Sequence, residues 1–238
     1  MSFRDIRHPF GSHLYIPPSI LRDDTMTAAK DLHLLSDACR QYAESVMRDI
    51  ADRDNDARSM CFWNIHNRMR ISEEIMTNYE KLWKSEGFPE IDEETEAELV
   101  ERVMVVTKDL FVDVVSAIEK AVKDCVGIYK GSGLKEEALK MSSHLYLRNI
   151  MLCSVDKKLI DKRTFTEWDD ILVMRNLVAH NNSVADRNKR YTIGGIAISM
   201  RAGRMMKGPL NTFVVLTECI IELFYSWLNL LHKAYGST

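Results

Sequence analysis

Between Leu99 and Cys125, apolar residues recur at Val103, Val106, Leu110, Val114, Ile118 and Val122, a spacing that one face of a long α-helix satisfies. Two similar stripes precede it. One passes through Leu32, Leu35, Cys39, Tyr42, Val46 and Ile50, predicting a helix from Thr25 to about Asp52. The other passes through Phe62, Ile65, Met69, Met76, Tyr79 and Trp83 and stops at Gly87-Phe88-Pro89. Such helices of about 25–35 residues are about 40–50 Å long. Long amphipathic helices joined by short connections pack as an antiparallel bundle. No internal period is visible, which argues against a solenoid.

The second half continues the pattern with one interruption. Gly131-Ser132-Gly133 closes the third long helix, and a shorter helix is predicted from about Leu134 to Cys153. Thr164 and Glu167 read as a capping box ahead of Phe165, Trp168, Ile171 and Leu172, so a further helix should run to about His180 and stop at Asn181-Asn182. The stretch RYTIGGIAISMRAGRMMKG, residues 190–208, breaks helical periodicity. Its β-branched residues surround Gly194-Gly195, as in a small β-hairpin or an irregular arm. Pro209 then opens a last helix to about Tyr235. It is apolar around most of its circumference except at Glu218, Glu222, Ser226 and Asn229, so it belongs in a bundle centre or a subunit interface. The reading is all-α: one domain over 1–238, with an N-terminal arm at 1–24 and a hairpin or arm at 188–208.

Composition narrows the function classes. The formal net charge of −3 argues against a general DNA-coating protein, but charge is unevenly spread. Residues 90–101 carry seven carboxylates and no base, whereas 182–207 hold Arg187, Lys189, Arg190, Arg201, Arg204 and Lys207 against Asp186 alone. Each run reads as a solvated face or as a partner surface. The five cysteines are scattered and form no CxxC pair, which suits a reducing cytosol. The N-terminal stretch lacks the apolar core of a signal peptide. Glu218 and Glu222 argue against residues 213–231 as a membrane span, so the chain reads as soluble and cytoplasmic, with no membrane partner.

Familiar catalytic signatures are missing. HExxH, an ExxH pair, GxxxxGK[ST], GxGxxG and GxSxG do not occur, and no metal or cofactor is expected. His33, His144 and His232 read as surface or core residues, and His66, beside Arg68 and Arg70, as a wet helix face or a polyanion contact. Arg175, Asn176 and His180 are different. On a helix Asn176 and His180 stand at i and i+4 and share a face, where they can hydrogen-bond. Arg175 is about 140° away from His180 around the axis. A second copy related by a two-fold axis would bring two arginines and two histidines into one cleft. Imidazole exchanges protons near neutral pH, guanidinium binds phosphate in bidentate fashion, and asparagine can orient the imidazole. Together they suit metal-free cleavage of a phosphodiester.

The segment RNLVAH at 175–180, ending a late helix of an all-helical chain, resembles the R-x4-6-H motif of the HEPN (higher eukaryotes and prokaryotes nucleotide-binding) superfamily. The resemblance is sharpest over roughly 164–235. It implies a homodimeric, metal-independent ribonuclease, often a toxin or antiviral effector and in some cases paired with an inhibitor or antitoxin protein. Carried over, Arg175 would stabilise charge on the scissile phosphate, His180 would transfer a proton or bind phosphate, and Asn176 would support the imidazole. The RNA 2′-hydroxyl would attack and leave a 2′,3′-cyclic phosphate. Arg187, Lys189, Arg190, Arg201 and Arg204 are the candidate RNA-binding residues. Some members carry a modifiable tyrosine two residues after the histidine; Asn182 stands there in this chain, and Tyr191 lies further on. Two alternatives remain: a HEPN-like module that binds nucleotide or RNA, or scaffolds, without cutting, and a helical interaction protein in which Arg175 and His180 only cap a helix.

Overall fold

The computed structural model describes residues 18–51, 56–84, 93–181, 183–208 and 211–236. The long stripes form α1 (Pro18–Asp49), α2 (Ala57–Lys84) and α3 (Glu93–Ile128). A 3-10 turn at Lys130–Ser132 leads to α4 (Leu134–Met141), α5 (Leu147–Asp156) and α6 (Lys162–Asn181). The hairpin strands β1 (Lys189–Ile193) and β2 (Ile196–Met200) precede α7 (Thr212–Tyr235). The fold is all-α with one small antiparallel hairpin among the described residues. Residues 1–17, the stop at Gly87-Phe88-Pro89, Asn182 and Pro209 lie outside the described residues, as do the side chains of Trp83, Leu99 and Asn181.

The predicted stripes are the core. Leu32, Cys39, Val46, Phe62, Ile65, Met69, Met76, Val114, Ile118, Val122 and Cys125 are all fully buried. Helices α1 and α2 run antiparallel, since His33 meets Glu73 while Met47 meets Trp63. Helices α3 and α7 run parallel: Phe111 packs on Phe213 near one end and the Tyr129 hydroxyl meets His232 Nδ1 near the other. The intervening helices and hairpin return the chain, so the bundle is not antiparallel throughout.

Three boundaries differ from the sequence reading. Helix α1 begins at Pro18, not Thr25, which shortens the N-terminal arm; proline is well suited to a first helical position because its missing N–H would be unpaired there anyway. The helix expected over 134–153 is two helices. Ser142 is extended and its hydroxyl accepts the His144 N–H at 3.3 Å, a local bond that competes with helical pairing. Helix α6 starts at Lys162, because Asp161 is its cap: the Asp161 carboxylate accepts the Thr164 N–H at 2.7 Å. That bond holds the Asp161 pKa below the usual carboxylate range. Glu167 meanwhile pairs with Arg163 at 3.3 Å, so the Thr164–Glu167 capping box does not form.

Helix α7 occupies the bundle centre. Tyr225 stacks on Tyr42 of α1 at 4.0 Å, Phe224 on Phe62 of α2 at 5.1 Å, and Trp227 donates to Ser154 of α5 at 3.1 Å. Its Leu216, Ile220, Ile221, Phe224, Leu228 and Leu231 are fully buried, each stabilising the fold by about 1.5–3 kcal/mol. The exposed stripe runs through Glu218, Glu222, Ser226 and Asn229 and takes in Leu230, Lys233 and Ala234 near the C-terminal end. By length and composition alone α7 could span a membrane; in this fold half of its apolar window is buried inside the chain.

The hairpin is pinned to this centre. Its turn, Gly194-Gly195, has φ of 55° and 78°, the left-handed pair that a two-residue turn between twisted strands requires. A Cβ on Gly194 would lie 2.5 Å from Val215 Cγ1 and 2.7 Å from Cys219 Sγ. Absence of a side chain lets the turn sit directly on α7. Tyr191, Ile193, Ile198 and Met200 alternate inward and are buried.

Candidate functional site

Helix α6 divides its residues cleanly. Trp168, Ile171, Met174, Leu177 and Val178 face the core, while Asn176, Ala179 and His180 are exposed and Arg175 is half-buried. The helix continues through Asn181, so Arg175 and His180 diverge as their spacing requires. The Arg175 guanidinium turns toward α3. Its Nη2 donates to Ser116 Oγ at 3.2 Å and its Nη1 to Asn176 Oδ1 at 3.0 Å. The buried Nε–H has no acceptor. The Asn176 oxygen is thus engaged with Arg175, not with the imidazole. His180 makes no side-chain hydrogen bond among the described residues.

Ser116 is the contact that sequence reasoning missed. It stands among apolar residues of α3, and the 59 residues separating it from Arg175 leave no linear signal.

Past α6 the chain turns sharply. Ser183 adopts a left-handed φ of 64°, and its N–H reaches back to the Leu177 carbonyl at 3.2 Å. Residues 183–185 then pair with 203–206: Ala185 donates to the Arg204 carbonyl at 2.9 Å and Met206 to the Ser183 carbonyl at 2.8 Å. Ser199 pairs with Lys207 on the outer side of β2. The basic segment is therefore an ordered arm rooted at the end of α6.

Its cations fall into two groups. Arg187 is bound to Asp186 at 2.9 Å, which raises the arginine pKa and lowers the carboxylate's. Lys189 reaches Asp170 of α6 at 3.2 Å and lies 4.2 Å from the centre of the Tyr191 ring. Burial disfavours the Lys189 ammonium, but Asp170 and Tyr191 together outweigh it and leave the pKa raised. Arg190, Arg201 and Arg204 are exposed and form no ion pair among the described residues. Strand alternation puts Arg190 on the outer face, opposite Ser199, whose other neighbour is Lys207. Of the five predicted RNA-binding residues, two are engaged with carboxylates of the chain and three are open.

Other residues singled out from the sequence have structural partners. His66 turns inward, its Nδ1 2.9 Å from Ser36 Oγ, while Arg68 meets Asp113 and Arg70 meets Glu73. Tyr191 is buried with its hydroxyl unpartnered, so it is not an accessible tyrosine. Nothing in the sequence pointed to a buried polar network under the other end of α7. Asp56 holds Arg58 through bonds of 2.7 and 2.8 Å, Arg58 donates to the Tyr129 hydroxyl at 2.8 Å, and that hydroxyl meets His232 at 3.0 Å. Among the described residues no three His, Cys, Asp or Glu groups cluster as metal ligands. The thiols of Cys61 and Cys125 are pushed upward by burial.

No family model matches the chain, and no curated protein or solved structure matches it. The chemistry of the α6 end is then the basis for assigning a function.

Proposed function

We propose that the chain is a metal-independent endoribonuclease of HEPN type, cutting RNA in a cleft between two copies that face each other across α6. The observation that carries the reading is the grouping at the open end of α6. A guanidinium held against α3 and bonded to an exposed amide shares this end of the helix with an exposed imidazole that points away from it, and an ordered arm with open cations follows at once. In this reading Arg175 bonds a non-bridging oxygen of the scissile phosphate and stabilises the charge that grows there. His180 exchanges a proton with the attacking 2′-hydroxyl or the departing 5′-oxygen. The products are a 2′,3′-cyclic phosphate and a 5′-hydroxyl. Arg190, Arg201 and Arg204 hold the flanking phosphates, while Arg187 and Lys189, already paired, contribute less.

Pairing of two copies serves the chemistry because Arg175 and His180 point about 140° apart on one helix. Most of the large apolar side chains of α7 are buried within the chain, with Leu230 left exposed, so we place the shared surface on the outer side of α6 and the root of the arm. There the cross-strand pair Val184 and Met205 is 38% and 40% exposed. A toxin or antiviral role, an inhibitor protein and a cytoplasmic location belong to the same reading.

A second reading has its own support: a HEPN-like module that binds nucleotide or RNA, or scaffolds, without cutting. Two donors of Arg175 are engaged inside the chain, and no described residue fixes the His180 tautomer. Incubation with RNA in EDTA separates the two. The first predicts cleavage that Arg175→Ala and His180→Ala abolish. The second predicts binding without cleavage.

A further inference from the structure

We propose that Ser116 is the positioning residue for Arg175 in the cleavage reaction, an inference that rests on the ribonuclease reading of the α6 site. Ser116 lies about two thirds of the way along α3 and is half-buried. Its hydroxyl donates to the Val112 carbonyl one turn back at 2.8 Å. That bond fixes where the proton points and leaves the oxygen's lone pairs available, and Arg175 Nη2 donates to this oxygen at 3.2 Å. Nη1 is held at the same time by Asn176 at 3.0 Å.

The two anchors differ in what they can do. Asn176 is the neighbour of Arg175 on the same helix and is exposed, so it moves with α6 and can restrain only the local rotamer. Ser116 belongs to a long helix whose adjacent Val114, Val115 and Ile118 are fully buried. It ties the guanidinium to the rigid body of the bundle. An arginine that must meet a phosphate in one geometry gains from such a tie, because its long side chain otherwise samples many rotamers. Placement is the whole role assigned to Ser116, which does not touch the RNA.

A clasp that only joins α3 to α6 would use the same contact, so the test must read the reaction as well as the fold. Ser116→Ala, Ser116→Thr, Arg175→Ala and the Ser116→Ala/Arg175→Ala double variant are assayed on a fluorescein-labelled unstructured RNA, with melting temperatures in parallel. Ser116→Ala should lower kcat roughly ten- to hundredfold with KM little changed, as a misplaced group does. Ser116→Thr, which keeps the hydroxyl, should recover most of the rate. In the Arg175→Ala background the serine change should cost nothing further, because both act through one group. Wild-type kcat in Ser116→Ala, or an equal loss with and without Arg175, overturns the proposal. The Arg175 Nε–H proton resonance judges the tie without any cleavage: buried in the wild type, it should exchange faster in Ser116→Ala, and unchanged exchange also overturns the proposal. Wild type that cuts no RNA refutes the ribonuclease reading, and with it a role for Ser116 in the reaction, whatever the resonance shows.

Discussion

Arg175→Ala should leave the fold nearly as stable as the wild type, and the structure says why. The substitution removes two hydrogen bonds, one to half-buried Ser116 and one to exposed Asn176. A typical bond contributes about 0.5–1.5 kcal/mol net, and the exposed one falls at the low end. Some apolar contact of the arginine stem is lost as well, on the order of 1 kcal/mol. Against these losses, the mutation removes a buried Nε–H that has no acceptor, a group that costs about 1–3 kcal/mol in the native state. The terms offset to within about 1 kcal/mol, which for a chain of this size moves Tm by roughly 2–4 °C. Calorimetric or circular-dichroism melts of both proteins give the answer directly. A drop beyond about 10 °C would show that Arg175 is a structural strut between α3 and α6. It would refute the argument that this side chain is held for chemistry and not for the fold.

Other outcomes follow from the same geometry. Asp56→Ala removes the ion pair of the Arg58 guanidinium, which is 2% exposed, and should cost about 3–5 kcal/mol in urea unfolding; a loss under about 1 kcal/mol would contradict the buried network. Gly194→Ala forces a side chain onto Val215 and Cys219 at a φ of 55° and should cost about 1–3 kcal/mol, whereas Gly195→Ala, with open space around its Cβ direction, meets only the strain of its φ. Neutralising Arg190, Arg201 and Arg204 together should weaken RNA binding and flatten its salt dependence by up to about three phosphate contacts, while neutralising Arg187 and Lys189 should do less. Equal slopes for the two sets would dissociate the arm's open cations from RNA.

The sequence made the long helices readable because each buries one continuous apolar stripe, and nothing local competes with the helical period. Leu32 to Ile50 and Leu110 to Cys125 behave this way. Where a short polar side chain offers the backbone another bond, pattern reading failed: Ser142 splits α4 from α5, and Asp161 takes the cap that Thr164 was expected to supply. The near-complete apolar circumference of α7 left centre and interface both open, and packing by α1, α2, α3, α5 and the hairpin places it in the centre. At the candidate site the spacing foretold that Arg175 and His180 diverge on α6, and the helix does run through both. What the spacing could not contain was the partner of each group. The bond from Arg175 to Ser116 crosses between helices, and the commitment of Lys189 to Asp170 follows from where the arm docks.

Cleavage of a defined RNA oligonucleotide by the wild-type protein and by His180→Ala, in EDTA, with the new ends analysed chemically, tests the central claim most directly. The account predicts that the wild type cuts without added metal and leaves a 2′,3′-cyclic phosphate. His180→Ala should melt with the wild type, since an exposed side chain without a side-chain hydrogen bond among the described residues contributes little, about 0.5 kcal/mol or less. Its cutting rate should fall on the order of 10²- to 10⁴-fold. RNA left intact by the wild type, or cut equally by His180→Ala, would contradict it.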